Sequence, residues 1–97
     1  MLIDRTRPQI KHDLNKPALS LGRASDNDIT LDSPKVSRQH AAIKLEEDAF
    51  RIYDLGSANG TFVNDVRVRE PVTLQDGDVI RLGDITFIFK IIALEDQ

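Results

Sequence analysis

Glycine, proline, asparagine and aspartate interrupt this chain about every 8–12 residues, and the runs between them alternate apolar with polar side chains. No other feature constrains the fold as much. Runs of roughly four to six residues are too short for packed helices and long enough for strands. Met1 to Arg5 reads as an edge strand that Pro8 ends, and Gln9 to Leu14 alternates with Ile10 and Leu14 on one face. Strands follow at Ala18 to Leu21, Ile29 to Leu31, Phe50 to Tyr53, Thr61 to Val63 and Val66 to Val68. Pro71 to Leu74 is short and edge-like, and Val79 to Leu82 is a further strand. Ile85 to Leu94 is the longest, apolar on both faces near its end, as a strand inside a sheet would be. The punctuation is turn chemistry: Asn15-Lys16-Pro17, Glu46-Glu47-Asp48, Asn64-Asp65, Gln75-Asp76-Gly77-Asp78 and Gly83-Asp84.

One stretch is ambiguous. Ser33 as an N-cap, Pro34 at the first helical position and Val36, His40 and Ile43 at helical spacing would suit a helix. A polar loop through His40 followed by a strand from Ala41 to Leu45 fits equally well on local signals. The strand is preferred because everything after it is β. Roughly nine to eleven short strands without a predicted helix make an all-β sandwich.

At 97 residues the chain is one domain, able to bury roughly 60–70% of its surface without staples. The absence of cysteine excludes disulfides and thiol chemistry. A net charge of −3 argues against nucleic acid and acidic membranes as partners, so any anion site must be a local basic spot. No run approaches the roughly 18 apolar residues of a membrane span, and no signal-peptide pattern opens the chain, so a cytoplasmic location is expected. His12 and His40 have no companions at metal-ligand spacing, so no metal or cofactor is expected.

Three polar islands stand out between the strands: Leu21-Gly22-Arg23, Ser37-Arg38-Gln39-His40 and Gly56-Ser57-Ala58-Asn59-Gly60-Thr61. Together they hold two arginines, two serines, a histidine, an asparagine and glycines that let backbone come close. Polar loop tips on a β scaffold are where binding chemistry collects. This is a donor inventory suited to an anion with several oxygens. The bland alternative for Arg23 is a surface salt bridge to Asp26 or Asp28.

These islands, with Val36 to Ala41, Asp54 to Asn64 and Asp78 to Gly83, resemble the forkhead-associated (FHA) domain family, and the likeness runs from about Gln9 to Phe89. It implies one FHA-like β-sandwich of about eleven strands over residues 1–97, with residues 1–8 as edge strand and turn and 95–97 as a frayed tail. Its ligand loops gather at one end. The resemblance implies a module that binds a threonine-phosphorylated protein or peptide. Arg23 matches the family's phosphate-binding arginine, Ser37 a hydroxyl donor to phosphate, Arg38 a second contact and Asn59 the holder of peptide backbone. Gly22, His40, Ser57, Gly60 and Asn64 are expected to support the loops. Where some members carry a side chain that reaches phosphate, this chain has Ala58.

Such modules occur as parts of larger signalling proteins, so a multidomain context is expected; the sequence sets no oligomeric state. Two other classes compete. Ser37, His40 and Asp54 make a hydrolytic triad on paper, but the strained Gly-x-Ser-x-Gly elbow is missing. An FHA scaffold acting as a phospho-independent interaction or oligomerisation module is the second.

Overall fold

The computed structural model describes residues 1–7 and 9–91. The break expected at Pro8, the tail at 95–97 and residues 92–94 of the last expected strand lie outside the described residues.

Eleven strands form in chain order: β1 (Leu2–Asp4), β2 (Lys11–His12), β3 (Ala18–Gly22), β4 (Ile29–Thr30), β5 (Ala41–Glu46), β6 (Ala49–Asp54), β7 (Thr61–Val63), β8 (Val66–Arg67), β9 (Val72–Thr73), β10 (Val79–Leu82) and β11 (Ile85–Phe89). There is no helix among the described residues, so the ambiguous stretch resolves as loop and then strand β5. A six-stranded sheet runs β2-β1-β11-β10-β7-β8, and a five-stranded sheet runs β4-β3-β5-β6-β9. The pairings are antiparallel apart from β3 with β4.

The sheets close on one core. Leu21, Ile43 and Ile52 come from the five-stranded side, and Leu2, Ile80, Leu82, Phe87 and Phe89 from the other. Phe50 meets Phe89 edge to face at 5.7 Å between ring centroids, the arrangement that ring quadrupoles favour. Val36, from the loop before β5, is fully buried and anchors that loop to the core.

Two hairpins adopt the left-handed turn that matches strand twist. Glu47 and Asp48 have φ of 52° and 65°, and Asn64 and Asp65 have 51° and 68°. Asn64 also accepts the Val79 N–H at 3.0 Å and donates to Asp78 at 2.9 Å, which pins its turn to the start of β10.

Three expectations need correction. The first strand is not at an edge: β1 pairs with β11 on one side and β2 on the other. The short β2 takes the edge because it offers only Lys11 and His12 for pairing, while Leu2 and Asp4 both turn into the protein. The long C-terminal strand ends at Phe89, and Ile91, expected within it, lies beyond it and is 57% exposed. Pro71 to Leu74 does form an edge, but only Val72 and Thr73 are in strand.

Candidate functional site

Three connections meet at one end of the sandwich: residues 23–28 after β3, 31–40 before β5 and 55–60 before β7. They are held by a lattice of backbone bonds. Arg23 N–H donates to Ser37 O at 2.9 Å, Ala24 N–H to Arg38 O at 3.2 Å, His40 N–H to Leu21 O at 2.9 Å and Leu55 N–H to His40 O at 3.0 Å. Gly22 is needed for this approach. A Cβ there would stand 2.2 Å from Arg38 O, so no larger residue fits without moving backbone.

His40 is the hub. It is fully buried. Its Nδ1 accepts the Ser37 N–H at 3.0 Å, and its Nε2 donates to Gly60 O at 2.9 Å. Only the neutral Nε2–H tautomer satisfies both contacts. One ring therefore joins the second loop to the third.

Asp54 anchors the third loop. It accepts Ser57 Oγ at 2.5 Å, Thr61 Oγ1 at 2.7 Å and the amides of Gly56 and Ser57, each at 3.1 Å. Partial burial works against its charge. The Ser57 and Thr61 hydroxyls and then the two amides outweigh that, and hold the carboxyl below its ordinary value. Ser57 Oγ in turn accepts Gly60 N–H at 3.0 Å. Gly60 itself has φ of +88°, a conformation that side chains rarely adopt.

The exposed tips carry the groups left over. Arg23 spends Nε on Val36 O at 3.1 Å, which fixes the side chain while leaving its terminal nitrogens without a protein partner among the described residues. The acids proposed as its surface partners are engaged elsewhere. Asp28 takes Lys16 at 2.7 Å, a contact that holds its carboxyl below the ordinary range, and Asp26 accepts Gln39 Nε2 at 3.2 Å. Ser37 Oγ accepts Ala58 N–H at 3.0 Å, so its own proton is free to donate outward. Asn59 Nδ2 donates to Lys35 O at 2.8 Å, and its carbonyl oxygen has no partner among the described residues. Arg38 and Lys35 are exposed and make no ion pair among the described residues. The result is a cationic, donor-rich spot on an acidic chain.

The structure thus brings together Gly22, Arg23, Ser37, Arg38, His40, Ser57, Asn59 and Gly60. Asn64 is the exception: it lies at the other end of β7 and supports the β7–β8 turn instead of the cluster. Sequence reasoning missed Asn27, whose Nδ2 bridges Ala24 O at 2.8 Å and Arg38 O at 2.7 Å. It also gave Asp54 and Thr61 no supporting role, although Asp followed by amides two and three positions on is a recognisable Asx-turn signal. The paper triad does not assemble. His40 Nδ1 faces the Ser37 amide and not its hydroxyl, and Asp54 faces Ser57 and Thr61. Among the described residues no group of three His, Cys, Asp or Glu could hold a metal ion.

The family model of the FHA domain matches residues 19–83, which span all three loops. The chain belongs to the FHA domain family. It is 49% identical over 80 residues to the transcriptional regulatory protein EmbR of Mycobacterium tuberculosis, covering 82% of this chain and 21% of EmbR. It is 44% identical over 79 residues to the glycogen accumulation regulator GarA of Mycolicibacterium smegmatis, covering 78% of this chain and 48% of GarA. The chain therefore spans between a fifth and a half of these relatives. Among solved structures, M. tuberculosis EmbR in complex with a low-affinity phosphopeptide superposes with a TM-score of 0.91 at 43% identity, over 99% of this chain and 25% of that one. An FHA domain from a study of phosphothreonine-dependent FHA interactions gives a TM-score of 0.88 at 33% identity, over 96% of both chains. FHA membership agrees with the all-β sandwich.

Proposed function

We propose that this FHA domain is a non-catalytic reader of phosphothreonine peptides that mediates phosphorylation-dependent contacts within a larger signalling protein. The observation that carries this reading is the pair of unspent donors at the loop tips. Arg23 offers its terminal nitrogens, and Ser37 offers a hydroxyl proton already oriented by Ala58.

A phosphothreonine presents three oxygens and close to two negative charges. The guanidinium of Arg23 meets two of the oxygens as a fork, and Ser37 donates to a third. Arg38 adds a second positive charge, and Lys35 strengthens the local field. Asn59 holds peptide backbone: its open carbonyl oxygen accepts a peptide N–H while Lys35 O fixes its orientation. Ala58 acts through its backbone, setting the rotamer of Ser37. His40, Ser57, Gly22 and Gly60 keep these groups in register without touching the ligand.

The charge-assisted bonds contribute about 1.5–3 kcal/mol each, a large share of the roughly 8 kcal/mol of a micromolar complex, and the rest comes from contacts to the peptide backbone and flanking side chains. The test is calorimetric titration of one peptide in phosphothreonine, phosphoserine and unmodified forms, against the wild type and Arg23→Ala. Binding by the first form alone, lost in Arg23→Ala, is expected. Affinity should also fall below about pH 6, where phosphate takes up its second proton. Equal binding of the unmodified peptide, or binding untouched by Arg23→Ala, would favour a phospho-independent module.

A further inference from the structure

The two outer faces of the sandwich differ in charge balance. On the five-stranded sheet an acid sits among the cations: Arg51 pairs with Glu46 at 3.5 Å, Tyr53 donates to Glu46 and Lys44 lies 4.8 Å over the Tyr53 ring. On the six-stranded sheet the register sets Arg67, Phe62, Arg81 and Thr86 side by side across four strands. Arg5 continues the row, its amide donating to Thr86 O at 2.9 Å. These positions alternate with buried Thr61, Val63, Ile80, Leu82 and Phe87, so they face outward. Arg81 sits 4.1 Å over the Phe62 ring.

None of the three arginines makes an ion pair among the described residues. The next row, Lys11, Ile3, Ile88 and Val79, adds a cation and an apolar strip. Among the described residues no outward strand position on this face is acidic. Asp65 lines a hollow of ≈ 300 Å³ with Arg5 and Arg81 without pairing to either. On a chain of net charge −3, such a row is uncompensated. It is also continuous with the loop cluster, because the Arg67 guanidinium lies 3.3 Å from where a Gly60 Cβ would stand, and Gly60 follows Asn59.

We propose that this face docks an acidic segment of the same partner whose phosphothreonine the loops hold, a proposal that rests on the phosphothreonine reading. Arg67 to Arg81 and Arg81 to Arg5 are each two strand steps, or about 9.6 Å, which three residues of extended chain span. The segment therefore carries an acidic residue at about every third position, with apolar residues between to cover Phe62 and Val79.

The test uses fluorescein-labelled peptides: a six-residue phosphothreonine peptide, and the same peptide extended at either end with glutamate or with lysine at every third position. At low salt the glutamate extension at one end should tighten binding by about tenfold, on the order expected of three exposed charge pairs, and less at high salt. The double variant Arg5→Glu/Arg81→Glu should remove that gain and leave the short peptide's Kd unchanged. No gain from either extension, or a gain that survives the double variant, overturns the proposal. Failure of the short peptide itself to bind strikes the loop reading instead. The face is then judged alone by an amide NMR titration with the glutamate extension lacking phosphothreonine. Shifts at Phe62, Arg81 and Thr86 support it; their absence, or shifts produced only by a 20-base-pair DNA, overturns it.

Discussion

Gly22→Ala isolates what holds the loop cluster together. Gly22 does not have a left-handed backbone, so conformational freedom does not explain it. Contact does. The added Cβ would stand 2.2 Å from Arg38 O, 2.8 Å from Asn27 Nδ2 and 2.9 Å from Arg38 C. Ordinary contact begins near 3.4 Å, so the Arg38 carbonyl must retreat by about 1.2 Å. That oxygen accepts from both Asn27 Nδ2 and Ala24 N–H. Losing the two bonds costs about 1–3 kcal/mol, and the overpacking itself a further ~1–3 kcal/mol. For a domain of this size, even the lower end of that total lowers the Tm by at least about 8 °C. The same retreat pulls Ser37 away from Arg23, so phosphothreonine affinity should fall at least tenfold in protein that is still folded.

Gly56→Ala is the control. Its φ is +75°, yet nothing lies within 4 Å of the new Cβ, so only backbone strain of about 1–2 kcal/mol is added. Thermal melts and peptide titrations of both variants decide the matter. If Gly22→Ala melts no earlier than Gly56→Ala and keeps its peptide affinity, the close approach of β3 to the Ser37–Arg38 segment does not control the site.

Asp54 titrates below its ordinary value of 3.8 in the folded chain, so the stability it contributes is fully present above that pH and is lost as pH falls through the folded value. Asp54→Ala should cost about 2–4 kcal/mol at neutral pH and show a flatter loss of stability as pH falls below the ordinary carboxylate value, checked by urea melts at neutral and acidic pH. Thr61→Val removes one donor to Asp54 at a buried position and should cost about 1–2 kcal/mol in the same melts, with peptide affinity little changed. Arg23→Ala should cost only about 0.5–1.5 kcal/mol of stability, because the exposed side chain gives up just its Nε bond to Val36 O, while weakening phosphothreonine binding by about 2–5 kcal/mol. Calorimetry and melting on the same sample separate the two effects.

The strand pattern was legible because alternation and turn residues are local properties. Asn64-Asp65 forms the left-handed hairpin that its chemistry implies, and β5 follows its loop as expected. Neighbour order is not local. Nothing between Met1 and Arg5 says that a two-residue strand will cover its outer side, so β1 read as an edge. The site follows the same division. A count of donors in the three islands includes two arginines, two serines, a histidine and an asparagine, but only the folded chain shows which are already spent. His40 uses both ring nitrogens, Ser57 is committed to Asp54 and Gly60, and Asn59 gives its amide to Lys35. Arg23 divides: Nε is consumed within the protein and the terminal nitrogens remain. Most of the polar side chains that mark the motif are thus structural, and their mutual bonds fix the few that point outward. An anion arriving at these loops meets donors already oriented, so little further ordering is required of the protein when it binds.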